Sequence, residues 1–145
     1  MSTRQASFRS FFRKSVPKKI EVPPLTEQER LKKINEGLSE TNIWGAKLWE
    51  SLHIMAARAP EVLDDDTKAA FSDLLQALPF TLACGTCAEH FDKMLDEYPL
   101  SDEILATRIS LSKYLFDRHN MVNERLKQPV FTAKQFQEQY GIVLP

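Results

Sequence analysis

The chain reads as an all-α protein, most simply a helix bundle, on three observations. No segment shows the alternating apolar and polar residues of a half-buried strand. Apolar residues recur instead at three- and four-residue intervals through most of the sequence after Pro24. Residues that cap helices punctuate these runs. The 145 residues suit one folded domain with a single core, and no internal repeat is visible.

Taken in order, Thr26 and Glu29 form a capping-box pattern that opens a helix to about Leu38. A second helix is expected from about Trp44 to Ala59, closed by Pro60, with Leu48, Trp49, Leu52, His53 and Ala56 on one face. Asp64, Asp65 and Asp66 suit the start of a third helix with Phe71, Leu74, Leu75 and Leu78 as its core stripe. A fourth begins at or just before Cys84, carries Phe91 and Leu95, and ends before Pro99. Ser101 is predicted to cap a long fifth helix in which Ile104, Leu111, Leu115 and Val122 face inward. Thr132 with Gln135 predicts a last short helix ending near Gly141. The domain reading is a basic tail and Val22-Pro23-Pro24 linker over 1–25, a leading helix over 26–40, and the functional domain over 41–145.

A formal net charge of −1 conceals an uneven distribution. Six of the 19 Lys and Arg residues fall before residue 20, where there is no acid, leaving 13 basic against 20 acidic residues in the remainder. An acidic body disfavours nucleic acid as a partner, because phosphate contacts need clustered Lys and Arg. In the tail, Phe8, Phe11 and Phe12 share one helical face beside Arg9 and Arg13. An amphipathic surface element, a mitochondrial targeting segment and a solvated basic tail are all open readings. No apolar run approaches the roughly 20 residues of a transmembrane helix. No secretory h-region is present, so cytosolic synthesis is expected.

The only two cysteines stand together as Cys84-Gly85-Thr86-Cys87. Such a pair either exchanges electrons between dithiol and disulfide or supplies half of a metal site. At a helix N-terminus the free N–H groups and the helix dipole stabilise a thiolate, which favours thiol–disulfide exchange. Inert core cysteines are the bland alternative. Zinc would need two of the three histidines, His53, His90 and His119, and His90 crowds the turn after Cys87. Further on, His119 and Asn123 share a helix face within His119-Asn120-Met121-Val122-Asn123. A ring and two amides there suit a flat hydrogen-bonding ligand such as a purine, although a lone His is often structural.

Together these motifs become specific. Trp49-Glu50-Ser51-Leu52-His53 with Ala56-Ala57 and Pro60, then Cys84-Gly85-Thr86-Cys87 with His90-Phe91, then His119-Asn120-Met121-Val122-Asn123 with Leu126 and Pro129, resemble the flavin-linked sulfhydryl oxidases of the Erv/ALR family. The family's pattern reads WxxxH, AAxxP, CxxC, HNxVN, L and P in that order. The resemblance implies a four-helix bundle with a short fifth helix that holds FAD and oxidises protein dithiols to disulfides, with molecular oxygen as acceptor and hydrogen peroxide as product. It implies that Cys87 is the flavin-proximal sulfur and Cys84 the interchange sulfur. The cofactor set it implies is Gly45, Trp49, His53, Phe91, His119, Asn120, Val122, Asn123, Leu126, Gln128 and Tyr140.

The chain departs from the pattern in places. Ala83 rather than Pro precedes Cys84, and Pro79-Phe80 stands earlier. Tyr114 or a neighbour replaces a Trp, Gln128-Pro129 replaces a Lys-Pro pair, and Tyr140 replaces a late Trp. Lys127 and Arg125 are the candidates for the missing cation. With no further cysteine to act as a shuttle, the resemblance is to the single-CxxC forms of large DNA viruses, which implies the cytoplasm, of a host cell or in a virion if the source is viral, with the mitochondrial intermembrane space as the alternative. Substrate thiols, or a separate thioredoxin-like redox partner, would then meet Cys84 directly. It also implies a homodimer packed through apolar residues such as Ile54 and Met55, for which a core role is the other reading. The competing function is a non-enzymatic helical adaptor with a structural zinc or a degenerate flavin site.

Overall fold

The computed structural model describes residues 23–38 and 41–145, which form six helices and no strand. The basic tail readings fall outside these residues. The chain divides into two compact units at Ile34/Asn35.

In the first unit, residues 23–26 are extended and exposed, and helix α1 (Glu27–Leu38) follows, its last residues crossing the boundary. The Thr26–Glu29 capping box forms: Thr26 N–H donates to Glu29 Oε2 at 2.9 Å and Glu29 N–H to Thr26 Oγ1 at 3.3 Å. An Arg30–Glu27 ion pair follows one turn on. Leu25, Leu31 and Ile34 are exposed, so α1 owes its local definition to caps and charges rather than burial.

The second unit holds α2 (Thr41–Ala57), α3 (Asp65–Thr81), α4 (Gly85–Glu97), α5 (Arg108–Arg125) and the short α6 (Ala133–Tyr140). Helix α2 packs on α5, α3 on α4, and α6 against α2. The predicted inward faces meet in one core that includes Trp49, Leu52, Ala56, Leu75, Leu78, Phe91, Met94, Leu111 and Leu115. This is the all-α bundle with an added short helix that the sequence predicts. Ile54 and Met55 are exposed, so a core role does not account for them.

Asp64 caps α3, its Oδ1 accepting Thr67 N–H at 2.8 Å, and Asp65 and Asp66 place negative charge against the positive end of the helix dipole. The helix continues past Pro79 to Thr81, and three residues then lead directly into α4. The caps of α6 also form as predicted. Thr132 and Gln135 make a capping box, and Gly141 closes the helix at φ 70, a left-handed conformation that costs a side chain energy but not glycine.

The fifth predicted helix begins later than expected. Ser101 nucleates only a single turn, accepting Ile104 N–H at 3.4 Å and Leu105 N–H through its carbonyl at 3.0 Å. Thr107 is then extended and bridges Val62, with Leu63 N–H on Ala106 O and Arg108 N–H on Glu61 O. These bonds between distant segments outweigh local helix continuation. The true cap is Thr107, boxed with Ser110. At its other end α5 closes in a Schellman arrangement, with Lys127 N–H on Glu124 O at 3.0 Å and Gln128 N–H on Asn123 O at 2.8 Å. Lys127 holds the left-handed position at φ 54, where glycine is usual.

Candidate active site

The two cysteines form a disulfide with a Cα–Cα separation of 5.2 Å, set at the mouth of α4. Cys84 is the N-cap, in extended conformation, and its Sγ accepts the Cys87 N–H at 3.3 Å. Gly85 and Thr86 lie exposed between two half-buried sulfurs. The pair is therefore neither inert core nor free surface. The sulfur at position 84 sits where helix N–H groups and dipole favour a thiolate.

One turn beyond Cys87, Phe91 turns into the core and meets Trp49 of α2, ring centroids 6.2 Å apart. Trp49 lies parallel to His119 of α5, with centroids 4.7 Å apart and an interplanar angle of 3°. His53, one turn along α2, places Nε2 3.0 Å from His119 Nδ1. Tyr140 and Phe136 of α6 close the cluster, at 5.2 and 5.1 Å from the His53 ring. Five predicted cofactor residues, Trp49, His53, Phe91, His119 and Tyr140, thus converge from four helices. Phe136, wholly buried, completes the cluster and is not among the predicted site residues. Its sequence signal is its place as the first large apolar residue after the Thr132–Gln135 box.

Burial holds both histidines neutral. His53 is lowered to about 3 by burial first and by the neighbouring His119 second, and His119 is lowered to about 4 by burial. The hydrogen bond joining them therefore holds a single proton, donated by one ring and accepted by the other. Either way, Nδ1 of His53 is buried with no partner. It is an unpaired acceptor in one tautomer and an unpaired donor in the other.

Asn120 has a different setting. Its Nδ2 donates to Phe131 O at 2.8 Å and its Oδ1 accepts Phe131 N–H at 2.7 Å, so the side chain fixes the segment between α5 and α6. Val122 is half-buried against the core, Asn123 is half-buried, and Leu126 and Gln128 are exposed beyond the end of α5. Gly45 lies on α2, where an added Cβ would meet no atom within 4 Å. Arg125 reaches the redox helix, with Nη1 3.3 Å from His90 Nδ1. That nitrogen already donates to Thr86 O at 2.6 Å, so the guanidinium lies beside the ring as a neighbouring cation rather than as its hydrogen-bond donor.

Among the described residues no group of three or more His, Cys, Asp or Glu side chains is placed to hold a metal ion. The same residues suit a flavin nucleotide. Aromatic faces, neutral imidazoles and the unpaired His53 nitrogen offer stacking and hydrogen bonding to a flat heterocycle. Trp49 and His119 stack too closely to admit a third ring between them, so such a ligand must lie along their outer faces or edges.

Comparison with known proteins agrees with this geometry. A protein of Invertebrate iridescent virus 3 named as an FAD-linked sulfhydryl oxidase is 27% identical over 103 residues, 71% of this chain and 69% of its own. The mitochondrial FAD-linked sulfhydryl oxidase of Saccharomyces cerevisiae is 27% identical over 96 residues, 66% of this chain but 49% of the yeast protein. The match thus spans about half the length of that cellular relative. The crystal structure of the FAD-binding domain of Saccharomyces cerevisiae Erv1 superposes with a TM-score of 0.60 at 26% identity, covering 66% of this chain and 89% of that one. The Erv1/Alr family profile matches residues 46–141, a span that contains the disulfide and every ring of the cluster. With the motif order, the bundle and the profile in agreement, the chain belongs to the Erv1/Alr family.

Proposed function

We propose that this protein is an FAD-linked thiol oxidase whose redox centre is the Cys84–Cys87 disulfide. The observation that carries the reading is the disulfide at the N-terminus of α4, one turn from the Trp49–His53–His119–Phe91 cluster. A substrate thiolate attacks Cys84 Sγ, the Cys84–Cys87 bond breaks, and Cys87 leaves as a thiolate. A second substrate thiol then attacks the substrate sulfur of the mixed disulfide and releases Cys84. The substrate gains a disulfide and loses two electrons, which the reduced cysteine pair holds. The N-cap position stabilises the departing Cys84 thiolate, and its bond from Cys87 N–H keeps the two sulfurs in register for reoxidation.

Trp49, His53, His119, Phe91 and Tyr140 would hold the flavin nucleotide, Asn120 would fix the segment beside it, and Arg125 and Lys127 would supply positive charge in place of a lysine at 128. When bound, FAD supplies a two-electron acceptor that molecular oxygen reoxidises, leaving as hydrogen peroxide. The exposed Ile54 and Met55 suit a homodimer contact, and protein dithiols or a thioredoxin-like partner would meet Cys84. No helix among the described residues is long and apolar enough to cross a membrane.

The test is the visible spectrum of the purified protein. Flavin bands that bleach with dithiothreitol under nitrogen and return in air support the oxidase. A protein that remains colourless after incubation with FAD overturns it.

A further inference from the structure

Phe80 is the most exposed large apolar side chain among the described residues, at 89%, ahead of Val62 at 71%. Its position follows from the helix period. Leu75 and Leu78 of α3 turn into the core and Leu82 packs against it, so residue 80 faces outward in the last turn. It stands four positions before Cys84, a distance the backbone cannot stretch beyond about 14 Å. The rest of the rim is small or polar, since Thr81, Ala83, Gly85 and Thr86 are all exposed. Between 79 and 90 no other large apolar side chain is exposed; Leu82 is half-buried against the core. A single isolated aromatic on a surface needs no explanation by itself. This one lies within about 14 Å, backbone to backbone, of the one disulfide in the chain, and that bond fixes the chemistry of whatever passes over it.

We propose that Phe80 is a specificity-determining residue that selects polypeptide dithiols carrying an aromatic or branched apolar side chain within a few residues of the attacking cysteine. The proposal rests on the thiol-oxidase reading above. A peptide joined through its sulfur to Cys84 lays its flanking residues along the exposed rim of residues 81, 83, 85 and 86, because Phe91, one turn on from Cys87, turns into a filled core. An extended flank covers about 3.3 Å per residue, so side chains two to four positions from the cysteine sweep the span of up to about 14 Å within which Phe80 lies. Burying the ring against an apolar partner removes both surfaces from water and favours that peptide over a small thiol, which cannot touch Phe80. The electrons balance as in the half-reaction already described: two leave the peptide dithiol, two reduce the protein disulfide, and no other reactant is required.

The test uses this half-reaction, which needs no cofactor. The full chain, in its oxidised form, is mixed with a dithiol peptide bearing Phe three residues from its first cysteine, with the same peptide bearing Ser there, or with dithiothreitol. Reduction of Cys84–Cys87 is followed by alkylation and mass. In the native chain the Phe peptide should react faster than the Ser peptide relative to dithiothreitol. Phe80→Ser should lower the ratio of the Phe-peptide rate constant to the dithiothreitol rate constant by roughly tenfold, and Phe80→Trp should restore it. A ratio unchanged by Phe80→Ser, or lowered equally for both peptides, overturns the proposal. Dithiothreitol-driven oxygen uptake by the FAD-loaded native chain is measured alongside. Its absence defeats the oxidase reading instead, so the two failures are told apart.

Discussion

His53 Nε2 lies 3.0 Å from His119 Nδ1, and this hydrogen bond ties the middle of α2 to the last turns of α5 across the core. The residues are 66 apart in sequence, and each ring also belongs to the stack around Trp49. A buried pair of neutral imidazoles is a defined electrostatic state. It holds one shared hydrogen and leaves one unpaired nitrogen, and it does not tolerate an added proton.

That state predicts a pH dependence of folding. The folded values near 3 for His53 and near 4 for His119 lie below the ordinary 6.5. Unfolding therefore takes up protons, and the stabilisation present above pH 6.5 is lost as pH falls through the folded values. Each histidine contributes a slope of up to about 1.4 kcal/mol per pH unit in that window. Between pH 6.5 and 5 most carboxylates stay ionised, so the loss there belongs to histidine. Thermal unfolding from pH 7.5 to 5 should show Tm falling below 6.5, and His119→Asn should flatten the slope. A native Tm constant across the window refutes the neutral pair.

Asn120 is expected to act on stability before chemistry. Truncation to Ala leaves the N–H and C=O of Phe131 without their partners, at a cost of roughly 1–3 kcal/mol. Asn120→Asp keeps the acceptor and loses the donor, so it should fall between the two. Chemical denaturation of the three proteins gives the order. An Asn120→Ala protein as stable as the native one removes the anchoring role.

Much of this arrangement is legible in the sequence. The local chemistry of Thr26–Glu29, Asp64 and Thr132–Gln135 sets helix starts that recur in the fold, because each cap is satisfied within three residues. Ser101 failed as a predictor for the opposite reason: the Val62–Thr107 bridge is made by residues 45 apart, and no local pattern carries it. The Trp49, His53 and His119 positions stand out as motif residues, but their stacking depends on the α2–α5 crossing, which spacing alone does not give. The setting of Asn120 was hidden similarly, since its partner lies on the backbone of Phe131 rather than in any side chain.

Cys87→Ser tests the redox assignment. Serine cannot form the disulfide, so dithiothreitol-driven oxygen uptake should fall below about one-hundredth of the native rate while FAD absorbance is retained. The helix itself should persist, because Cys84 remains the N-cap and the backbone N–H at 87 is still present. Oxygen uptake near the native rate in this variant sinks the role given to Cys87.

Ser112 predicts a gain. It is wholly buried on α5 and its Oγ has no hydrogen-bond partner. An unpaired buried hydroxyl costs about 1–3 kcal/mol. Replacement by Ala removes only the oxygen and improves helix propensity by a few tenths of a kcal/mol. Against this stands the small void left behind, worth well under 1 kcal/mol for one atom. Ser112→Ala should therefore raise stability by roughly 1 kcal/mol in a denaturant titration, with the same m-value. A loss of stability shows that the hydroxyl has a partner in solution.

Lys127 offers the same kind of reckoning for the backbone. A non-glycine residue at φ 54 bears about 1–2 kcal/mol of left-handed strain. Glycine would relieve it but loses more conformational freedom on folding, a penalty of about 0.4–1 kcal/mol. The first effect is the larger, so Lys127→Gly should stabilise the chain by roughly 0.5–1 kcal/mol, seen as a later midpoint in urea. The lysine charge is also lost, and FAD affinity separates the two roles. If Lys127 helps to hold the pyrophosphate, the glycine variant unfolds later as apoprotein yet binds FAD more weakly, by a factor of about three to ten. Unchanged affinity leaves Arg125, the cation that already reaches α4, as the residue that supplies the charge. A variant that unfolds earlier than the native chain contradicts the strain argument itself.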